Sequence, residues 1–212
     1  MDKINSANFP EKLKAAIKQG LPGSQVQWMM ASSNRMLEDF PLTPGPDARV
    51  AAVLILLWPE KDSVHTVFMK RPDYTGFHGG QISFPGGKQE PSDENIIRTA
   101  FREAEEEMGI NPSAIENLGL LTPLFIPVSK MLVTAVTAWI PAKPVFRPDP
   151  AEVDFLIEAD INEFMTPSAI KTKPMEIRGG VYEIRYFDYK GHVIWGATSM
   201  MLNELLEILR RF

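Results

Sequence analysis

An α/β/α sandwich on a mixed β-sheet, entered through an N-terminal helical extension, is the fold class this sequence predicts. Three observations carry that expectation: strand-like apolar runs stand on both sides of one strongly patterned helix, a second helix closes the chain, and a helical stretch with a proline-rich connector precedes them all. Within Pro10 to Phe40, Leu13, Ala16 and Ile17 repeat at helical spacing and Gly20 to Gly23 interrupts them, so one or two helices are expected. Pro41 to Val50 reads as a connector, which places the extension at residues 1–45 and the main domain at 46–212. Val50 to Trp58 is continuously apolar, the mark of a strand buried on both faces, and Val64 to Lys70 is a second strand. A glycine-rich turn and a helix from about Glu94 to Met108 follow, then a long strand over Met131 to Ile140 and a proline-rich loop to Val153. Val181 to Phe187 and His192 to Gly196 form a hairpin turning at Lys190-Gly191, and Thr198 to Arg211 is the closing helix. There is no internal repeat and no low-complexity segment.

Bulk properties exclude several classes of function. The chain has 212 residues, 44% hydrophobic and 23% charged, the balance of a soluble globular protein of one generous domain. A net charge of -5 and a pI near 5.3 lack the basic face a nucleic-acid partner requires. Cysteine is absent, so any metal must be held by oxygen or imidazole. The N-terminus has no apolar signal-peptide core, and the longest apolar run is too short to span a bilayer. The location expected on these grounds is cytoplasmic, with no membrane partner.

The unusual feature is FPGGKQEPSDENIIRTAFREAEEEMGI, Phe84 to Ile110. Ile97, Ala100, Phe101, Ala104 and Met108 make one apolar stripe along a helix, with Ser92 or Asp93 as candidate N-cap and Gly109 as C-cap. Glu103, Glu106 and Glu107 stand at i, i+3 and i+4, which directs their carboxylates to one flank, and Arg102, one turn before Glu106, is placed to orient it by a charge-assisted hydrogen bond. An acidic helix face is usually a solvated surface. Converging carboxylates can instead be the ligand set for a hard divalent cation, Mg2+ or Mn2+, and magnesium seeks phosphate oxygens.

The whole constellation resembles the Nudix box: Gly, a spacer, Glu, seven residues, then R-E-U-x-E-E-x-G-U with U aliphatic. Arg102, Glu103, Ala104, Glu106, Glu107, Gly109 and Ile110 fit it. Counted from Gly87, the sixth residue is Asp93 and the seventh Glu94, so the box is one residue longer than the general pattern. That longer box, and an upstream signature matched by Arg71, His78, Gly80, Gln81, Ile82, Phe84, Pro85, Gly86 and Gly87, resemble the coenzyme A diphosphatase branch of the family. Ile126 to Ser129, Ala151 to Val153 and Ile194 to Leu202 are similar to later landmarks of that branch. The chain departs from the signature at Gly76, where an Arg is usual, and at Phe68-Met69-Lys70.

The resemblance implies a Nudix-type sandwich and a metal-dependent diphosphatase. Its expected substrate is coenzyme A or acyl-CoA, cleaved to 4'-phosphopantetheine, or the acyl form, and adenosine 3',5'-bisphosphate. ADP-ribose or another nucleoside diphosphate derivative is the alternative substrate, and a catalytically silent nucleotide sensor the alternative function. The family pattern assigns metal binding to Glu103 and Glu107, with Glu106 a further or shared ligand and Arg102 their structural partner. Glu103 and Glu152 compete for the role of general base. Arg71, His78, Gln81, Gly86, Gly87 and Lys88 are the expected substrate contacts. His65 and His192 are read as structural and Met200 and Met201 as core. Trp195 is read as core filler beside the last helix, with an aromatic platform for an adenine as the other reading. The expected partner is a small nucleotide of the coenzyme A kind; a homodimer is left open.

Overall fold

The computed structural model describes residues 4–33, 43–73, 79–177 and 179–212. Positions 76 and 78, singled out above, lie outside that set. The architecture is the α/β/α sandwich the sequence predicts. At its centre β1 (Arg49–Glu60) pairs in parallel with β7 (Met131–Trp139) over nine residue pairs, from Arg49 opposite Met131 to Leu57 opposite Trp139. Around this pair the eight-stranded sheet runs β3 (Ile82–Ser83), β2 (Ser63–Lys70), β1, β7, β5 (Glu116–Leu120). Three more strands join it: β4 (Gly86–Lys88) on β1, β6 (Leu124–Ile126) on β7 and β8 (Phe155–Asp160) on β2. All pairings except β1 with β7 are antiparallel, so the sheet is mixed.

The continuous apolarity of β1 is explained by burial on both faces. Ala52, Leu54, Leu56 and Trp58 point to one side and pack with Ala100, Phe101, Ala104 and Met108 of helix α3 (Ile96–Met108). Ala51, Ile55 and Leu57 point to the other, into a larger cluster that holds Phe9 and Leu13 of helix α1 (Phe9–Lys18) and the apolar face of the closing helix α4 (Gly196–Leu209). Period-two alternation thus serves two hydrophobic layers at once. Met200 and Met201 belong to this second layer, as read from the sequence. No helix among the described residues is long and apolar enough to cross a membrane.

The N-terminal extension is tied into the sandwich at two places. Phe9 is fully buried, with its ring stacked on Trp139 at 5.4 Å and edge-on to Phe212 at 5.8 Å. Behind it, helix α2 (Ser24–Trp28) lies against α4, where the buried Glu204 carboxylate accepts from Gln27 Nε2 (2.7 Å), from the Thr122 hydroxyl and backbone N–H, and from the Gly23 N–H. Four donors compensate the desolvation of one carboxylate, which is how a buried charge becomes tolerable without a cation.

A second, three-stranded sheet, β9 (Ile170–Ile177), β10 (Gly180–Tyr189) and β11 (His192–Trp195), carries the expected hairpin, with Lys190 and Gly191 both at positive φ in its turn. β11 lies beside β3, and the Thr198 hydroxyl on the first turn of α4 donates to the Ile82 carbonyl at 3.1 Å. These links bring the hairpin, the start of α4 and the β1–β4 edge around one space.

Because Phe9 fills core volume between α1 and the sheet, Phe9→Ala should cost about 3–5 kcal/mol of unfolding free energy, read from the urea midpoint. A cost below about 1 kcal/mol would mean that the extension is an appendage and not a wall of the core.

Candidate active site

The site begins with two glycines and the helix that faces them. Asn95 caps α3 by accepting from the N–H groups of Ile97 (3.0 Å) and Arg98 (3.1 Å), and Gly109, with φ 67°, ends it. The N-cap expected at Ser92 or Asp93 is therefore two to three residues later. Asp93 instead binds Arg102, its carboxylate taking two hydrogen bonds from the guanidinium, from Nε at 3.1 Å and from Nη2 at 3.0 Å. That paired fork pulls Asp93 down from the usual 3.8 to about 2. Of the two acids left open by the longer box, Asp93 is thus the one joined to Arg102, and Glu94 is exposed. Arg102 also donates to the Lys88 carbonyl (2.9 Å), to Glu106 (2.8 Å), and pairs with Glu103 (3.0 Å). One guanidinium therefore holds the glycine loop, the start of the helix and two of its carboxylates in register.

Glu107 is buried, its side chain 1% exposed. One carboxylate oxygen accepts from the Gly86 N–H at 2.7 Å, and the other from Arg71 at 3.1 Å. Burial pushes its pKa up to about 8, against the opposing pull of Arg71 and the Gly86 hydrogen bond. Arg71 completes the link by donating to the Gly86 carbonyl at 2.8 Å. Only glycine permits this approach. At Gly86, where φ is +151°, a Cβ would lie 2.2 Å from the Ala52 carbonyl oxygen, and at Gly87 it would lie 2.5 Å from the Glu103 carboxylate. Glu103 is itself raised above the ordinary carboxylate value, chiefly by burial, with Arg102 opposing.

Glu152 reaches the same space from the proline-rich loop, by a route invisible in the local sequence. The N–H groups of Arg147 and Asp149 donate to the carbonyls of Met108 (2.8 Å) and Glu107 (3.0 Å), capping the last turn of α3 with loop backbone. Glu152 then lies close enough for its charge to raise both Glu103 and Glu107, and its own side chain has no hydrogen-bond or ion-pair partner among the described residues.

The expected convergence of Glu103, Glu106 and Glu107 is not what the helix shows. Glu103 and Glu107, one turn apart, face inward, whereas Glu106 is about 100° further round from Glu107, has a side chain 55% exposed and turns to Arg102. Among the described residues no three His, Cys, Asp or Glu side chains are drawn together as a ready-built metal site. Donor chemistry still suits a hard divalent cation: the inward groups are carboxylate oxygens only, and burial raises the pKa of both Glu103 and Glu107.

These carboxylates line a cavity of about 880 Å³, ample for a nucleotide-sized ligand. Arg71, Gln81, Gly86, Gly87, Lys88, Glu103, Glu107 and Glu152 all line it, so the structure brings together the expected substrate contacts it describes; Glu106 and Arg102 stand outside. Ile126, Val128, Met131, Tyr182 and Trp195 line it as well. Trp195 is therefore a cavity wall and not core filler, because the hairpin that carries it turns its inner face to this space. Tyr182 escaped sequence reasoning altogether; only its place in a period-two strand pattern could have signalled it. His65 lies within β2 beside Trp58, and His192 within β11 beside Phe155.

Asp93 should give the fold an acid-sensitive element. Its lowered pKa contributes stability that is present above about pH 4 and lost as pH falls toward 2, roughly 2 kcal/mol at neutral pH. Asp93→Asn should remove that component of the acid limb in urea titrations between pH 2 and 5, and Glu94→Gln should leave it intact. The reverse pattern would make Glu94 the partner of Arg102.

Comparison with known proteins agrees with this geometry. A family model described as the NUDIX domain matches residues 48–180. Nudix hydrolase 15, mitochondrial, of Arabidopsis thaliana is 35% identical over 172 residues, 76% of this chain; the chain spans 60% of that relative's length. An uncharacterized Nudix hydrolase NudL of Photorhabdus laumondii is 35% identical over 130 residues, 61% of this chain and 69% of its own length. Among solved structures, the Nudix hydrolase RenU from M. smegmatis superposes with a TM-score of 0.54 at 14% identity, over 77% of this chain and 87% of that one. A MutT protein from Methanosarcina mazei Go1 does so with 0.51 at 14%, over 79% and 100%. These two share the fold. With the box residues on α3 and the glycine pair beneath them, the family model and the sequence relatives place this chain in the Nudix family.

Proposed function

We propose that this protein is a divalent-metal-dependent diphosphatase that cleaves a nucleoside diphosphate linked to a second moiety. The observation that carries the reading is the pair Glu103 and Glu107, held against Gly86-Gly87 in the wall of a nucleotide-sized cavity that Glu152 also lines. Coenzyme A or an acyl-CoA is the proposed substrate. Its support is the longer box and the upstream residues Arg71, Gln81 and Phe84, all three of which line the cavity.

Glu103 and Glu107 are the residues proposed to hold the metal, and Mg2+ or Mn2+ the ion. When bound, such an ion neutralises diphosphate oxygens and acidifies the attacking water. The chain's own residues do the rest. Arg71 and the Gly86 N–H fix the orientation of Glu107, Arg102 fixes Glu103, and the bare backbone at Gly87 leaves room for phosphate to approach. Glu152 is the proposed general base. Glu103 is paired with Arg102, whereas Glu152 lines the cavity with no side-chain partner among the described residues. It would take the proton of the water whose oxygen bonds to phosphorus as the bridging P–O bond breaks and the leaving phosphate departs. A silent sensor is disfavoured because Arg102, Glu103, Glu106 and Glu107 are all present in the sequence, and a chain that only bound a nucleotide would be free to lose a carboxylate.

The experiment is a substrate panel of coenzyme A, dephospho-coenzyme A and ADP-ribose with Mg2+ or Mn2+, read by product identity. Cleavage should vanish with EDTA. Glu107→Gln should lower kcat/KM by about three decades, and Glu152→Gln should lower kcat by about 10²–10⁴-fold with KM little changed. An active Glu107→Gln protein of undiminished metal affinity would sink the metal assignment. Full activity in Glu152→Gln would return the base to Glu103.

A further inference from the structure

We propose that Lys70 is a positioning residue: by holding Asp154 it fixes the loop that carries Glu152 relative to the inward carboxylates of the box helix. The inference rests on the reading of Glu152 as general base and adds what puts that base in place. Glu152 has no hydrogen-bond or ion-pair partner for its own side chain among the described residues, so its position depends on the backbone to either side. On the upstream side, the Asp149 carbonyl accepts from the N–H groups of Glu152 (3.1 Å) and Val153 (2.8 Å), and the Asp149 carboxylate accepts from the Ala151 N–H at 2.9 Å. The Asp149 N–H donates in turn to the Glu107 carbonyl, so this half of the loop is carried by α3.

The downstream side rests on the last residue of β2. Lys70 stands directly across from Phe155, the first residue of β8. Its carbonyl accepts from the Asp154 N–H at 2.9 Å, and its ammonium donates to the Asp154 carboxylate at 2.8 Å. The same ammonium lies 5.8 Å from the centre of the Phe155 ring, and that ring lies 5.5 Å from His192 of the hairpin. Asp73, exposed, is a second and looser partner at 3.7 Å. Lys70 therefore grips Asp154 by backbone and side chain at once, two residues after Glu152. It stands outside the cavity lining, and it is one of the positions at which the sequence departs from the signature it otherwise matches.

The residue after Lys70 shows what the anchor is for. Consecutive residues of an extended strand face opposite sides, and in β2 Val67 packs in the layer that holds α3 whereas Phe68 packs in the other. Arg71, whose N–H donates to the Gln81 carbonyl at 3.0 Å, follows the first side and reaches Glu107 (3.1 Å) and the Gly86 carbonyl (2.8 Å). Lys70 follows the second side and reaches Asp154. Two adjacent residues thus tie a proposed metal carboxylate and the proposed base to the same point of the sheet. A partly exposed ion pair contributes little to folding, whereas a small displacement of a catalytic group is costly to the chemical step. Loss of Lys70 should therefore show in turnover more than in stability.

The test is steady-state cleavage, in Mg2+, of whichever panel substrate the wild-type full chain turns over fastest. Lys70→Met should lower kcat about tenfold with KM within about twofold of wild type, and Lys70→Arg, which keeps a cation for Asp154, should recover kcat to within about threefold. In a Glu152→Gln background, Lys70→Met should cost less than about twofold, because the group it places is gone. A Lys70→Met protein with kcat within about twofold of wild type, a Lys70→Arg protein as slow as Lys70→Met, or a full tenfold loss in the Glu152→Gln background would overturn the proposal. Amide hydrogen exchange supplies a readout independent of cleavage: in Lys70→Met, exchange over residues 151–154 should quicken about tenfold while that of α3 stays as in wild type. Equal quickening in both segments would make Lys70 a general stabiliser and sink its positioning role. If wild type cleaves and the loop is indifferent to Lys70, the anchor fails alone. If wild type cleaves no diphosphate while the loop still loosens in Lys70→Met, the hydrolase reading fails and the anchor stands.

Discussion

The contact on which the rest of the site depends is the one between the buried Glu107 carboxylate and the Gly86 backbone. A carboxylate taken out of water is costly unless donors replace the solvent, and here one backbone N–H and one guanidinium do so. Both belong to segments outside the helix, so the contact fixes where those segments go. Gly86 must lack a side chain to come so near Ala52, which sets β4 on β1. Arg71 must reach both Glu107 and the Gly86 carbonyl, which sets the end of β2. The acidic helix is thus pinned to the sheet by its charged edge as well as by its apolar stripe.

That pinning leaves an imbalance, and the imbalance is useful. Two donors do not fully compensate a carboxylate that is 1% exposed, and Glu103 and Glu152 add negative charge beside it. The folded protein therefore holds a site that a cation would relieve, built on rigid elements: a helix capped at both ends, a sheet buried on both faces, and a loop whose backbone closes the helix C-terminus. Arg102 binds Asp93, Glu103 and Glu106, holding Glu103 beside the glycine loop and drawing Glu106 away from the cavity. The same scaffold extends into the hairpin, which the β3–β11 and β3–α4 contacts hold beside the cavity.

Much of this was legible in the sequence where the signal is local. The double burial of β1 is written in its unbroken apolarity, the hairpin in Lys190-Gly191, and the box helix in a five-residue stripe ended by Gly109. The errors lie where a side chain had more than one local choice. Asp93 could cap the helix or bind Arg102, and the charge-assisted fork won while Asn95, one residue before the helix, took the cap. Glu106 shares a helix flank with Glu103 and Glu107 by spacing, but the bond to Arg102 that the sequence also offers it turns it toward solvent. What could not be read is long-range. The pairing of Arg71 with Glu107 joins residues 36 apart, and the placement of Glu152 depends on loop N–H groups meeting helix carbonyls. Trp195 and Tyr182 look like ordinary strand aromatics until the hairpin is folded over the cavity.

The central claim, that the inward carboxylates of the box helix hold the catalytic ion, is tested most directly by anomalous diffraction from crystals soaked in Mn2+. The account predicts a peak between the Glu103 and Glu107 carboxylates, on the side facing Glu152, with Glu106 still paired to Arg102. A peak centred on Glu106, or density for Mn2+ only at sites remote from the Gly86-Gly87 loop, would contradict it.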